Sequence, residues 1–291
     1  MFVCRGKYRL EYFLEDVLNC KKGGIGLNSR RPNLVVMQPQ FCELTDSQWE
    51  IIEKIVEDQR KRFYPLRTII DAILWINRTG SQWREMESKY PCWQSVYYYY
   101  RKWQLLGVWE QLLDVLMVLE RKRQEREQTP SLLVVDSQSV KKVAFIHLET
   151  GIDGGKWVNG RKRHLAVDTL GLPWALLVTA AHVSDTAAGC KLVDRLKGKV
   201  PRMKKIAADQ GYRTSFTEHV TTHFGWEVEI KQKPESSKGF VPEKNRWPVE
   251  RSFGWLNFRR RLSKDYEKTV ESAEAMLQIA FISFLINRLS A

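Results

Sequence analysis

Asp136 and Asp209 each follow a short apolar run, in LLVVDSQSV and KIAADQGY. Such runs read as buried strands, and ligands gather at the carboxyl ends of strands in α/β sheets. Aspartate has a low strand propensity and a high desolvation cost, so a buried strand ending in it calls for a partner. One such aspartate often does no more than cap a loop. Two in one sheet of a basic chain point to chemistry. Glu250, in NRWPVERSFGWLNFRRRL, is a third candidate on a predicted helix near Arg246, Arg251, Arg259, Arg260 and Arg261. Eight basic and two acidic residues lie between Lys238 and Lys264, and a lone Glu there is otherwise a salt-bridge partner. Three converging carboxylates repel, and a divalent cation relieves the repulsion. Mg2+ takes oxygen ligands, with Mn2+ as its substitute. Two ions about 4 Å apart would activate an attacking oxygen and stabilise a leaving one in phosphodiester chemistry. The arginines would hold the backbone on either side.

Other polar residues have plainer readings. Asp153 in GIDGGK is a turn residue near the substrate, Asp168 serves the strand turn before Gly171, and Asp185 caps a helix. His164 and His182 flank the third strand in structural roles. Lys141, Lys142, Lys156, Arg161, Lys162 and Arg163 form a basic rim that either binds phosphates or is a solvated surface.

Elements must position these groups. Residues 1–40 are poorly patterned and read as a basic arm, with a short helix at Leu10 to Leu18. Thr45 and Gln48 make a capping box before a helical run. Pro65 opens a second helix that Gly80 ends, and a short helix spans Ser81 to Glu87. Further helices run from Trp93 to Leu106 and from Val108 to about Glu127. This is a helix-turn-helix-like layout. In WQSVYYYYRKW, Val96, Tyr100 and Trp103 face inward, while Gln94, Tyr97, Tyr98 and Arg101 could reach a major groove. A plain bundle with half-buried tyrosines is the alternative.

After Pro130 the pattern changes. Strands are expected at Leu132–Val135, His164–Thr169, Trp174–Ala180, Lys205–Ala208 and Trp226–Ile230. Helices are expected at Ser184–Leu196, with Ser184 or Asp185 as its N-cap, and at Thr214–Phe224, Pro248–Leu262 and Val270–Leu289. The order β, β, β, α, β, α, β, α, α suits a mixed sheet flanked by helices, and it is the element order of a ribonuclease-H-like domain. The expected division is an arm over 1–40, a helical DNA-binding domain over 41–130 and a catalytic α/β domain over 131–291.

Composition agrees with a nucleic-acid partner. The 291 residues carry 47 Lys+Arg against 34 Asp+Glu, a formal net charge of +13. With 43% hydrophobic residues the chain can bury a core. The longest apolar stretch, Ala275 to Ile286, falls short of a membrane span of roughly 20 residues. No signal peptide is visible, and five scattered cysteines without a CxxC fit reduced thiols in the cytoplasm.

From about Leu44 onward the chain resembles the DDE transposases of bacterial insertion sequences, which have a ribonuclease-H-like catalytic domain. The resemblance rests on LTDSQWEII, RTGSQWREM and WQSVYYYYRKWQ, then on VVDSQSVK, GIDGGKWVNGRKRHLAVDTLGLPWALLVTAAHVSD, AADQGY and RWPVERSFGWLNFRRRLSKDYE. It implies that Asp136, Asp209 and Glu250 are the catalytic acids and hold two Mg2+ ions. Their separations of 73 and 41 residues leave no room for a large insertion before the glutamate helix. In one related branch a Tyr and an Arg precede the glutamate and a Lys follows it. Arg246 fits the Arg position, but Glu243 and Asn257 occupy the other two. The resemblance further implies double-stranded DNA as partner, at least a dimer on DNA, no membrane, and a cytoplasmic, nucleoid-associated location. A catalytically silent DNA binder and a nuclease that cuts without joining remain alternatives.

Overall fold

The computed structural model of the chain describes residues 41–56, 62–230 and 247–290. The expected arm and its helix at Leu10 to Leu18 lie outside these residues. Helix α1 (Asp46–Val56) opens on the expected capping box. The Thr45 amide donates to Gln48 Oε1 at 3.0 Å, and the Gln48 amide donates to Thr45 Oγ1 at 3.3 Å. Helix α2 (Leu66–Thr79) follows Pro65 and ends at Gly80. A single 3-10 turn, Trp83–Glu85, stands where the short helix was expected. Helices α3 (Trp93–Leu105) and α4 (Val108–Arg123) flank Gly107.

The sheet starts with β1 (Leu132–Lys141), β2 (Gly151–Asp153), β3 (Val158–Val167) and β4 (Pro173–Ala180). Helix α5 (Asp185–Asp194), β5 (Lys205–Ala208), α6 (Thr214–Phe224) and β6 (Glu227–Ile230) follow. The chain closes with α7 (Trp247–Leu256), a 3-10 turn at Arg260–Leu262 and α8 (Val270–Leu289). Strand order is β2-β3-β1-β5-β6, with β4 also paired to β3. The pairs involving β3 are antiparallel, and β1–β5 and β5–β6 are parallel. Helix α5 packs on β3 and β4, α6 on β6, α7 on β1 and β3, and α8 on β4.

Four expectations need correction. β1 does not end at Val135, because its second half continues to pair with β3 after β5 has left its other edge. β3 begins at Val158, since Arg161, Lys162 and Arg163 are strand residues whose charges disguised a buried strand. Gly151–Asp153 is a strand paired to β3 rather than loop. Helix α7 stops at Leu256, because Arg259 turns extended before the separate 3-10 turn.

Helix α8 is long and apolar enough to cross a membrane by length and composition, yet 67% of that window is buried inside the protein. It packs along α4 and touches α1, α2 and α3 as well as β4 and α7. Two side chains donate to its backbone: Asn77 Nδ2 to Met276 O at 3.0 Å, and the Tyr100 hydroxyl to Ser272 O at 3.0 Å. The buried core therefore runs without a break across the sequence boundary at residues 130–131.

Asp71 is buried in α2 and accepts the Leu44 amide at 2.8 Å. Burial pushes its carboxyl up to about 6. A raised folded-state value favours the protonated form, so this contribution is full below about pH 4 and is lost as pH rises through about 6. Two units correspond to about 3 kcal/mol. Asp71→Asn, whose oxygen still accepts the Leu44 amide, should melt above the wild type at pH 7.5. The gap should close towards pH 4 in thermal melts, and a gap that ignores pH would refute the assignment.

Candidate active site

The last matched pair between β1 and β5 is Val135 with Ala208. The next residue on each chain is Asp136 and Asp209. The parallel register brings them to the same level at the point where β5 ends, about 4.8 Å apart as strands. Asp136 Oδ1 accepts the Ser137 amide at 2.7 Å. Asp209 Oδ1 accepts the Gly211 amide at 2.9 Å, which closes the turn after β5.

That turn is shaped by what Gly211 lacks. A Cβ there would lie 3.0 Å from Asp209 Oδ1 and 3.6 Å from Asp185 Oδ2. Both carboxylates therefore border one small space. The next residue, Tyr212, is buried, and its hydroxyl has no hydrogen-bond partner. Burial, and then the charges of Asp136, Asp185 and Asp209, hold its phenol well above the usual range.

Of the two caps expected for α5, Ser184 or Asp185, Ser184 takes the role, accepting the Ala187 amide at 3.2 Å. Asp185 instead accepts the Ser137 hydroxyl at 2.9 Å and pairs with Lys162 Nζ at 3.2 Å. Its distance in sequence from the two strand aspartates hid this. Lys162 also approaches Asp153 at 3.9 Å and donates to Val183 O at 3.1 Å. Burial raises the Asp153 carboxyl, but hydrogen bonds from Ser139 and the Gly155 and Lys156 amides, with the Lys162 charge, hold it below its ordinary value. His164 is buried, bonds Thr179 Oγ1 at 2.9 Å, and is pulled down to about 4 by burial. It is neutral at pH 7, which agrees with a structural role.

Glu250 is exposed in the first turn of α7. Val249, Phe253 and Leu256 form the buried face of that helix. Ser252 Oγ donates to Gly171 O at 2.7 Å, and a Cβ at Gly171 would stand 2.8 Å from that hydroxyl. Gly171 also has φ +78, so glycine there satisfies both the turn and the close approach of the helix. The Trp255 ring stacks on Phe284 of α8 at 4.0 Å.

The expected DNA contacts divide. Gln94, Tyr98 and Lys141 are exposed. Arg101 is half-buried and donates to Gln104 at 2.6 Å and Ser272 at 3.2 Å. Lys142 donates to Ile146 O at 2.7 Å. Arg251 lies between the rings of Trp247 and Trp255, at 4.2 and 5.1 Å. Arg246 is outside the described residues. Arg161, Lys162 and Arg163 are corrections to the basic rim, because all three are buried in β3. Arg161 pairs with Asp265 at 3.1 Å and donates to the carbonyls of Leu148, Glu149, Glu267, Lys268 and Thr269. Burial pulls Arg163 down to about 10, which leaves it charged at pH 7. Asp168 accepts the Leu170 and Leu172 amides in the expected turn, and it also holds Arg121 of α4 and the Trp174 indole.

A family described as "Transposase DDE domain" matches residues 127–286, and "Putative transposase of IS4/5 family" matches residues 44–113. The first match covers more than half of the chain. The chain belongs to the DDE transposase family. Its α/β part is accordingly a ribonuclease-H-like DDE domain. The chain is 31% identical over 128 residues to "Putative transposase for insertion sequence element IS402" of Burkholderia cepacia, covering 41% of this chain and 60% of that relative. It is also 31% identical over 102 residues to "Uncharacterized protein y4sN" of Sinorhizobium fredii, covering 34% of this chain and 75% of that one.

Among the described residues, no three His, Cys, Asp or Glu side chains gather closely enough to hold one metal ion between them. Mg2+ commonly takes only one or two carboxylates and keeps several waters. The aspartates that follow the last β1–β5 pair, the carboxylate oxygens bordering Gly211 and the unpartnered Tyr212 hydroxyl fit that demand.

Arg161→Met should cost this transposase-family chain about 3–5 kcal/mol, since it strands Asp265 and leaves several carbonyls without donors. Lys141→Ala should change stability by less than about 0.5 kcal/mol. Denaturant unfolding separates the two, and a stable Arg161→Met variant would restore the surface reading.

Proposed function

We propose that the chain is the transposase of an insertion sequence, acting on double-stranded DNA at the element's ends. The observation that carries this is the parallel register of β1 and β5, whose last matched pair, Val135 with Ala208, is followed on each strand by an aspartate, Asp136 and Asp209, in a DDE domain. Asp136 and Asp209 are the first two catalytic acids, and Glu250 on α7 is the third. They would hold Mg2+, with Mn2+ as substitute and two ions in the full site. Such ions lower the pKa of a bound water and stabilise charge on phosphate oxygens. The carboxylates fix where the phosphodiester lies and exclude other geometries. Water attacks the phosphorus at the element end and the 3′-oxygen leaves as a hydroxyl. That hydroxyl then attacks a target phosphodiester and displaces the target strand's own 3′-oxygen, so one phosphodiester replaces another and no covalent protein–DNA link is needed.

Support for the DNA partner comes from the net charge of +13 and from the exposed Gln94, Tyr98 and Lys141. Helix α3 would present Gln94, Tyr98 and Arg101 to the terminal inverted repeat, with Arg246 and Arg251 adding phosphate contacts. Two ends must be brought together, which calls for at least a dimer on DNA. The reaction belongs in the cytoplasm, at the nucleoid.

One assay tests the reading. Protein, Mg2+ and a labelled end fragment are incubated with a target plasmid. Joined product supports transposition, cleavage alone indicates a nuclease, and retention without either indicates a silent binder. Asp136→Ala and Asp209→Ala should abolish both products and leave DNA retention nearly intact. Equal loss of retention would overturn their assignment. Lys141→Ala should weaken retention for all sequences and lower the salt slope by about 1.

A further inference from the structure

Asp185 is an acid that the family's three-acid pattern does not account for. Its Oδ1 is engaged by Ser137 Oγ at 2.9 Å and by Lys162 Nζ at 3.2 Å. Its Oδ2 is the oxygen that borders the space over Gly211, 3.6 Å from where a Cβ would sit. Asp209 Oδ1 borders the same space at 3.0 Å. The Lys162 cation is shared between Asp185 and Asp153, so it neutralises only one of the two. Asp136 and Asp209 then add two more negative charges with no lysine or arginine paired to Asp209 among the described salt bridges.

The residue next to Gly211 offers an independent sign. The Tyr212 hydroxyl is buried and unpartnered, within electrostatic reach of Asp136, Asp185 and Asp209. A buried hydroxyl left without a partner costs about 1–3 kcal/mol, and bound water or an ion's hydration shell is the usual remedy. A Cβ at position 211 would enter the gap, and glycine has none.

We infer that Asp185 is a further carboxylate of the divalent-cation site, facing the ion from α5 beside Asp209, with Gly211 providing the room and the Tyr212 hydroxyl taking up the ion's water. The inference rests on the metal-dependent reading above. Ser137 and Lys162 fix one Asp185 oxygen, which aims the other. Asp185 thus brings to the site an acid from the helix opposite in sequence order to that of Glu250.

The test measures Mn2+ alone binding to the full chain, through the electron paramagnetic resonance signal of free Mn2+. Asp185→Asn keeps an oxygen for Ser137 and removes the charge. It should weaken Mn2+ binding about tenfold or more, with Asp209→Asn weakened as well and Asp185→Glu largely restored. If Asp185→Asn binds like the wild type while Asp209→Asn is weakened, the inference is overturned and the metal-dependent reading stands. If Asp136→Asn and Asp209→Asn also bind like the wild type, that reading falls and the inference with it. Should Asp185→Asn lose its cooperative melt, Gly211→Ala decides. Its Cβ fills the space without removing charge, so weakened binding supports the inference and unchanged binding overturns it.

Discussion

Like charges on neighbouring strands repel, and the DDE domain is built around accepting that repulsion. Carboxylates one strand spacing apart, roughly 5 Å, repel by about 3 kcal/mol at an effective dielectric near 20. Asp136 and Asp209 are held at one level because the apolar residues before them leave no choice. Leu133, Val134 and Val135 are buried against Ile206, Ala207 and Ala208. A slip of one residue would turn every one of these side chains to the opposite face. Core packing thus sets the register, and the register sets the charge geometry.

The helices brace this pair from several directions. Helix α7 is seated by Ser252 against Gly171 and by Trp255 against Phe284. Helix α8 is the common support, since α4, α7 and β4 all pack on it. Buried ion pairs tie segments that are far apart in sequence: Arg121 to Asp168, and Arg161 to Asp265. Such pairs add little net stability over apolar packing, but each is costly to break on one side only. They specify which segments meet.

Legibility in the sequence followed local physics. The capping box at Thr45 and Gln48, the Ser184 cap, the inward face of Val96, Tyr100 and Trp103, and the limits of α8 all depend on residues within a few positions of each other. The RKR run in β3 was misread because charge normally marks solvent, whereas here each group lies within buried structure. Arg161 illustrates the reason: its guanidinium satisfies carbonyls from two distant loops, at Leu148–Glu149 and Glu267–Thr269. No local pattern announces that.

The sequence by itself determined the mixed α/β class, the helical segment that precedes it, and the motifs that mark the DDE family, because periodicity, caps and short motifs are written in neighbouring residues. Tertiary structure alone decided that Asp185 comes beside Asp209, that Lys162 is shared between two acids, and that three basic residues of β3 are interior. Those relations join positions tens of residues apart, and only the pairing of strands and the packing of α5 and α8 onto them bring such positions within reach of a charge or a hydrogen bond.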